Sequence, residues 1–303
     1  MTPEQPVTTG AAEVAGAAGG RRSHSWAPVS VLVLVVTVIA LTYVATILAY
    51  WSMPGTGIIY QDSVAGSSAR AHVDLERIDE VNNKITARIW LSGARSFTDP
   101  MTGRLTGDIE ILFYPALDAG PVLLHQGHLP TQSAETTLPV SGDHLVWPFD
   151  HYASGALIAA VRPMGANPGP PLRVGVEVFD ELHGWDVHTG DVQRPTPALA
   201  APGLVVERSF GALIFAILLT AMIAVLPVLG LFVAVQTARS RRIFYPPMTT
   251  WFAALLFAII PLRTVLPGAP EPGAWIDVTV VLWAIVGLVT AMVIYVYAWW
   301  SAP

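Results

Sequence analysis

Apolar positions along this chain fall into two regimes. Four nearly unbroken runs, at 27–51, 209–235, 248–266 and 275–300, each approach or exceed the ~20 apolar residues that cross ~30 Å of hydrocarbon, and they predict transmembrane helices. Between the first run and the second the period drops to two. Lys84-Ile85-Thr86-Ala87-Arg88-Ile89-Trp90-Leu91 sets Ile85, Ala87, Ile89 and Leu91 on one face, and Leu172-Arg173-Val174-Gly175-Val176-Glu177-Val178 repeats the pattern. Further strands are expected over 72–78, 108–114, 120–124, 156–161 and 204–208, separated by clusters such as Asn167-Pro168-Gly169-Pro170-Pro171. Short strands at this spacing predict a β-sandwich.

Punctuation around the runs gives direction. Arg21 and Arg22 precede the first run, and Arg239, Arg241 and Arg242 follow the second, whereas the loop at 267–274 carries only Glu271. Cytoplasmic flanks hold the excess of Lys and Arg, so both termini are expected inside and residues 52–208 outside the plasma membrane. The expected architecture is an extracytoplasmic all-β sandwich-like domain with four transmembrane α-helices, one before it and three after. Residues 1–26 read as a disordered cytoplasmic tail, because their Ala, Gly, Thr and Pro lack apolar periodicity. Residues 236–247 read as a basic cytoplasmic loop and 267–274 as an external one. The first run is too long for a signal-peptide core and ends in Tyr50-Trp51 rather than a small-residue cleavage site, so it is read as an uncleaved anchor. Pro227 interrupts the second run, and Gly287-x-x-x-Ala291 in the last offers small residues for close helix approach.

Composition narrows the chemistry. The 303 residues are 53% hydrophobic and 13% charged, and they contain no cysteine, which removes disulfides, thiolate metal sites and thiol nucleophiles. Residues 52–208 hold ten Lys plus Arg against eighteen Asp plus Glu, a net charge near −8. A nucleic-acid partner is therefore not expected, while cations and basic partners are favoured electrostatically. Seven of the eight histidines lie in this region, among them His125-x-x-His128, Asp143-His144, His151, and His183 and His188 around Trp185-Asp186. Imidazoles and carboxylates can ligate a divalent metal, but the spacing is loose and no His-Glu-x-x-His occurs, so no metal or other cofactor is expected. No phosphate-binding loop or Gly-x-Ser-x-Gly elbow is present. The adjacent carboxylates Asp79-Glu80 and Asp180-Glu181 would point to opposite faces of a strand.

Trp147-Pro148-Phe149-Asp150-His151-Tyr152 is the densest local motif. It reads as a structural corner in which Asp150 accepts backbone hydrogen bonds and Phe149 fills the core, with an aromatic ligand platform as the alternative. Arg263 and Asp277 are the charged residues of the last two runs, placed to pair near the outer surface across a short hairpin. No charge lies at mid-span, so the helices read as an anchor rather than a pathway.

The chain resembles a family of actinobacterial and fungal membrane proteins, the domain of unknown function 4436. The resemblance spans residues 29–300 and rests on Pro148, Phe149, Asp150 and Tyr152, on Arg208-Ser209 entering the second run, on Leu256-Phe257-Ala258 through Pro261-Leu262-Arg263, and on Pro267, Gly268, Pro270, Gly273 and Asp277. Trp147 and Thr264 depart from the commoner family form, which has Tyr and Asn there. The resemblance implies the one-plus-three topology and no activity. The Pro-Phe-Asp triplet is also similar to one in pentameric ligand-gated channels, but those place all four spans after the sandwich.

The function expected is a non-catalytic envelope protein, anchored in the bilayer, whose β-domain binds an envelope protein, a lipid or another ligand. The alternative is a membrane enzyme or transport accessory acting on envelope lipid or glycan. Chemistry of that kind would require one concave pocket to gather several of Asp143, His144, Asp150, His151 and His183.

Overall fold

Alternation of apolar and polar residues becomes alternation of inward and outward side chains throughout the β-region. The computed structural model describes residues 27–51, 57–165, 168–190, 202–239, 247–268 and 270–301. The expected tail at 1–26, and Arg241 and Arg242 of the basic loop, lie outside the described residues. By its contacts the chain divides into two units, 1–44 and 45–303. The first is described only through residues 27–44 of α1 (Ala27–Trp51), an apolar helix of 25 residues.

The β-domain runs through β1 (Gly57–Gln61), β2 (Arg70–Asp79), β3 (Lys84–Ser92), β4 (Ile109–Tyr114), β5 (Val122–Leu124), β6 (Ala134–Gly142), β7 (His151–Ser154), β8 (Ile158–Pro163), β9 (Leu172–Asp180), β10 (Trp185–Gly190) and β11 (Gly203–Arg208). The β2–β3 hairpin shows how sequence sets the local structure. Its inward residues Ala71, Val73, Leu75, Ile85, Ala87, Ile89 and Leu91 are all fully buried. In the turn between them Asn83 takes φ +55°, a left-handed conformation that Asn tolerates better than most residues, while the Asp79 carboxylate accepts the Asn82 N–H at 3.0 Å.

The strands form one large curled sheet, ordered β10-β11-β7-β6-β3-β2-β9-β8-β4-β5, with β1 on β9. Two long strands produce the curl by changing partners along their length. Residues 134–139 of β6 pair with β3, and 140–142 pair with β7. In β9, residues 172–174 pair with β8, and 175–180 pair in parallel with β2. The expected sandwich thus becomes a continuous ladder whose inner faces, from β2 through β11, enclose a single hydrophobic core. Strands β1, β6, β7 and β10 were not expected from the sequence. In β6 the inward positions are Thr136, Leu138 and Val140 with Pro139 between them, a weak period-two signal.

After β11 come α2 (Phe210–Ala238), α3 (Met248–Thr264), a π-helical segment at Asp277–Val281 and α4 (Leu282–Trp300). Phe210–Ala238 and Asp277–Trp300 are long and apolar enough to cross a membrane; Met248–Thr264 is shorter. Small residues let α2 and α4 approach closely. A Cβ on Gly287 would lie 2.8 Å from Pro227 Cβ, and one on Gly230 would lie 3.0 Å from a Leu288 methyl. Pro227 is buried on α2, and Ala284, Leu288 and Ala291 are buried on α4.

Core and surface of the same strand should respond differently. Ile89→Ala empties a fully buried position and should cost about 2–5 kcal/mol in chemical unfolding of the purified protein. Arg88→Ala next to it removes a half-exposed pair with Glu76 and should cost about 1 kcal/mol at most.

Candidate functional site

The dense aromatic motif is built as a bracket between the β-domain and the helices. At the end of β6 the Asp143 carboxylate accepts the Leu145 N–H at 2.9 Å and caps one 3-10 turn, His144–Val146. The chain then passes a cis Trp147-Pro148 bond, and the Phe149 N–H closes on Val146 O at 3.0 Å. This path sends Trp147 and Phe149 in opposite senses. Trp147 is fully buried with Ala216, Leu219, Leu266, Ala274 and Ile276, whereas Phe149 is 58% exposed. Phe149 therefore does not fill the core, contrary to expectation; the buried aromatic is Trp147, packed outside the β-core against the helical region, where its indole N–H donates to Pro267 O at 2.8 Å. The Trp275 indole N–H donates in turn to Trp147 O.

Asp150 corrects a second expectation. Its carboxylate accepts side-chain rather than backbone hydrogens: Arg208 Nε at 2.5 Å, Arg208 Nη2 at 2.8 Å and the Tyr152 hydroxyl at 3.2 Å. Arg208 Nη2 also reaches Glu80 Oε2 at 2.7 Å, and Nη1 donates to Pro267 O at 3.3 Å. The guanidinium carbon lies 4.5 Å from the Trp185 ring centre and 5.9 Å from that of Trp147, within cation–π range. Arg208 ends β11, and Ser209 N-caps α2 through an Ala212 N–H at 3.3 Å while its own N–H donates to Gly184 O.

The loop between α3 and α4 is shaped to meet this cluster. Gly268 takes φ +75°, and a Cβ there would fall 2.6 Å from Arg208 Nη1 and 2.8 Å from Glu80 Oε1. Arg263 grips Asp277 through Nε at 2.9 Å and Nη2 at 2.8 Å, and Nη2 also donates to Pro270 O. The Gly273 N–H donates to Asp277 Oδ2 at 3.0 Å. Pro148, Asp150, Tyr152, Arg263, Pro267, Gly268, Pro270, Gly273 and Asp277 thus all belong to one junction, with Phe149 on its exposed side.

Glu80, Trp185 and Arg208 are participants that sequence spacing did not single out as partners. Glu80 lies beyond β2, so the strand rule that opposed it to Asp79 does not apply. Burial pushes its carboxyl above the usual range and nearby Asp150 adds to this, while Arg208 pulls the other way. Burial and the Asp150 charge also raise Tyr152.

Beside the junction lies an open cavity of about 490 Å³, lined by Arg77, Asp79, Glu80, Thr86, His144 and Glu271 among others. Three carboxylates and two basic side chains face one polar space. His144 is the one member of the five-residue set named for chemistry that lines it; Asp150 is engaged by Arg208, His183 Nδ1 lies 3.0 Å from Glu181 O, and His151 is exposed on β7. His125 sits 3.7 Å from Asp108 and edge-on to His128, but among the described residues no group of three metal-ligating side chains converges. His72 packs between Glu177, at 3.1 Å, and Ser92 Oγ, at 2.6 Å, and burial lowers its pKa.

Residues 59–207 match the family model described as Domain of unknown function (DUF4436), and residues 208–302 match a second, Domain of unknown function (DUF8686). No curated protein matches the chain. The β-domain is therefore similar to the uncharacterised family that the sequence motifs pointed to, over a narrower stretch than 29–300. The helical part of the resemblance, with Arg263, Pro267, Gly268, Pro270, Gly273 and Asp277, falls in the stretch that matches the other family model. The two matches meet at Arg208, the residue that joins both halves in space.

Two variants probe the cluster. Asp150→Asn removes the buried, two-oxygen partner of Arg208, leaves only Glu80 to pair with it, and should destabilise the protein by about 3–5 kcal/mol in unfolding experiments. Glu80→Gln tests the raised carboxyl. A raised folded pKa gives stability that is present below the unfolded value of 4.5 and lost as pH rises through the folded value. The melting temperature of Glu80→Gln, relative to the native chain, should accordingly rise as pH is taken upward from 4.5.

Proposed function

We propose that this protein is a non-catalytic, membrane-anchored receptor of the cell envelope, whose β-domain faces outward and receives a cationic ligand in the cavity beside Arg208. The observation that carries the reading is that cavity: a polar recess walled by Asp79, Glu80 and Glu271, in a domain whose net charge is near −8. Carboxylates around a recess raise the local concentration of cations and hold ammonium or metal charge by direct contact. Arg77 and His144 on the same wall give a place for a neighbouring anionic group of the ligand.

The membrane part of the reading draws on four apolar helices, of which 210–238 and 277–300 meet the length and apolarity needed to cross. Arginine placement favours cytoplasmic termini and an extracytoplasmic domain at 52–208. Dispersal of Asp143, Asp150, His151 and His183 away from the cavity weighs against an enzyme built on these groups. The bilayer is the first partner, and an envelope component bearing amine charge is the second.

Thermal unfolding of the full chain in nanodiscs tests ligand class. Spermidine or magnesium should raise the melting temperature while glutamate does not, since a ligand that binds only the folded state stabilises it. Glu271→Gln should remove the increase. An equal response to cation and anion, or an undiminished shift in Glu271→Gln, would contradict the reading.

A further inference from the structure

We propose that residues 145–149 form a wedge of the β-domain that inserts into the outer lipid leaflet around the helices; the inference rests on the membrane-anchored reading above. Leu145-Val146-Trp147-Pro148-Phe149 is an uncharged run at a loop, where solvated chains usually place polar residues. Trp147 and Pro148 turn inward, yet Leu145 and Val146 are each 45% exposed and Phe149 is 58% exposed.

Position along the helices identifies what covers them. Trp147 packs on Ala216 and Leu219, six and nine residues beyond the start of α2 at Phe210. At ~1.5 Å per residue the loop reaches roughly 9 to 14 Å down the helix. The 29 residues of α2 extend ~43 Å against ~30 Å of hydrocarbon, a length that lets its first turns, beside the β-domain, lie at the headgroup boundary. Independent markers agree on the level. Trp147 also packs on Ala274 and Ile276, which flank Trp275 and adjoin the Arg263–Asp277 pair, and an exposed indole and an arginine pair are groups that settle at the interface. Phe210 and Phe215, in the same first turns of α2, are exposed as well.

The loop is also held rigid before it meets lipid. Its turn is closed by Asp143, its backbone by Trp275 and its indole by Pro267. Inserting Leu145, Val146 and Phe149 therefore loses little conformational freedom and removes apolar surface from water. Depth is limited by His144, which faces the polar cavity at the start of the turn.

Absence of native cysteine makes the test direct. Single-cysteine variants Leu145→Cys and Phe149→Cys would carry an environment-sensitive fluorophore on the full chain in lipid vesicles. Val228→Cys, exposed in the middle of α2, and Met101→Cys, 93% exposed on the domain, serve as lipid and water controls. Both loop probes should emit to the blue of position 101 and be quenched more by nitroxides near the headgroup than by nitroxides deep in the acyl chain, while position 228 shows the reverse order. Loop probes that behave like position 101, with 228 still quenched by lipid nitroxides, overturn the wedge and leave the membrane reading intact. If 228 also reports water, both fail. Blue-shifted loop probes that no lipid nitroxide quenches would mean a second protein covers the loop, and the proposal would be wrong.

Discussion

A guanidinium removed from water requires partners in fixed places, and Arg208 draws them from three distant parts of the chain. Asp150 is 58 residues away, Pro267 is 59 and Glu80 is 128, yet each lies within hydrogen-bond distance. An unpaired buried charge costs several kcal/mol, so the strand end, the aromatic bracket, the β2–β3 turn and the helical hairpin loop must assemble together or not at all. The planar fork matters as much as the charge. Nε and Nη2 take the two oxygens of Asp150 side by side, a geometry that an ammonium group cannot reproduce.

From this constraint the placement of the domain on its helices follows. Ser209 begins α2 immediately after Arg208, so the helix leaves the domain without a linker. Trp147 fastens the opposite side by filling the space between α2 and the 265–276 loop, and Gly268 keeps that loop close enough to touch both Arg208 and Glu80. The polar cavity opens beside this contact rather than inside it, so Asp79, Glu271 and His144 line the cavity while Asp150 is engaged by Arg208.

Much of the fold was legible because it rests on local periodicity. Seven strands and four apolar helices follow from spacing of two and from run length. Strands β7 and β10 were missed for an opposite reason: His151-Tyr152 and Trp185-Asp186 carry so many polar and aromatic cues that they read as motifs rather than ladder positions. The curl was hidden as well, since nothing local marks where β6 and β9 exchange partners. At the site, the Arg263–Asp277 pair was readable because one short loop separates its members. The Arg208–Asp150–Glu80 set was not, because a single sequence carries no signal for pairing across 58 and 128 residues. Phe149 shows the same limit: it was expected in the core, and in the structure it is exposed while its neighbour Trp147 is buried.

Hydrogen exchange of the full chain in nanodiscs, comparing the native protein with Arg208→Lys, tests most directly whether this arginine couples the domain to its helices. Lysine keeps the charge and removes the fork. The account predicts faster exchange in residues 143–150 and in 265–276 together, with protection of 84–91 in the β-core unchanged. Unaltered exchange in 265–276, or a loss spread evenly over the β-core, would contradict it.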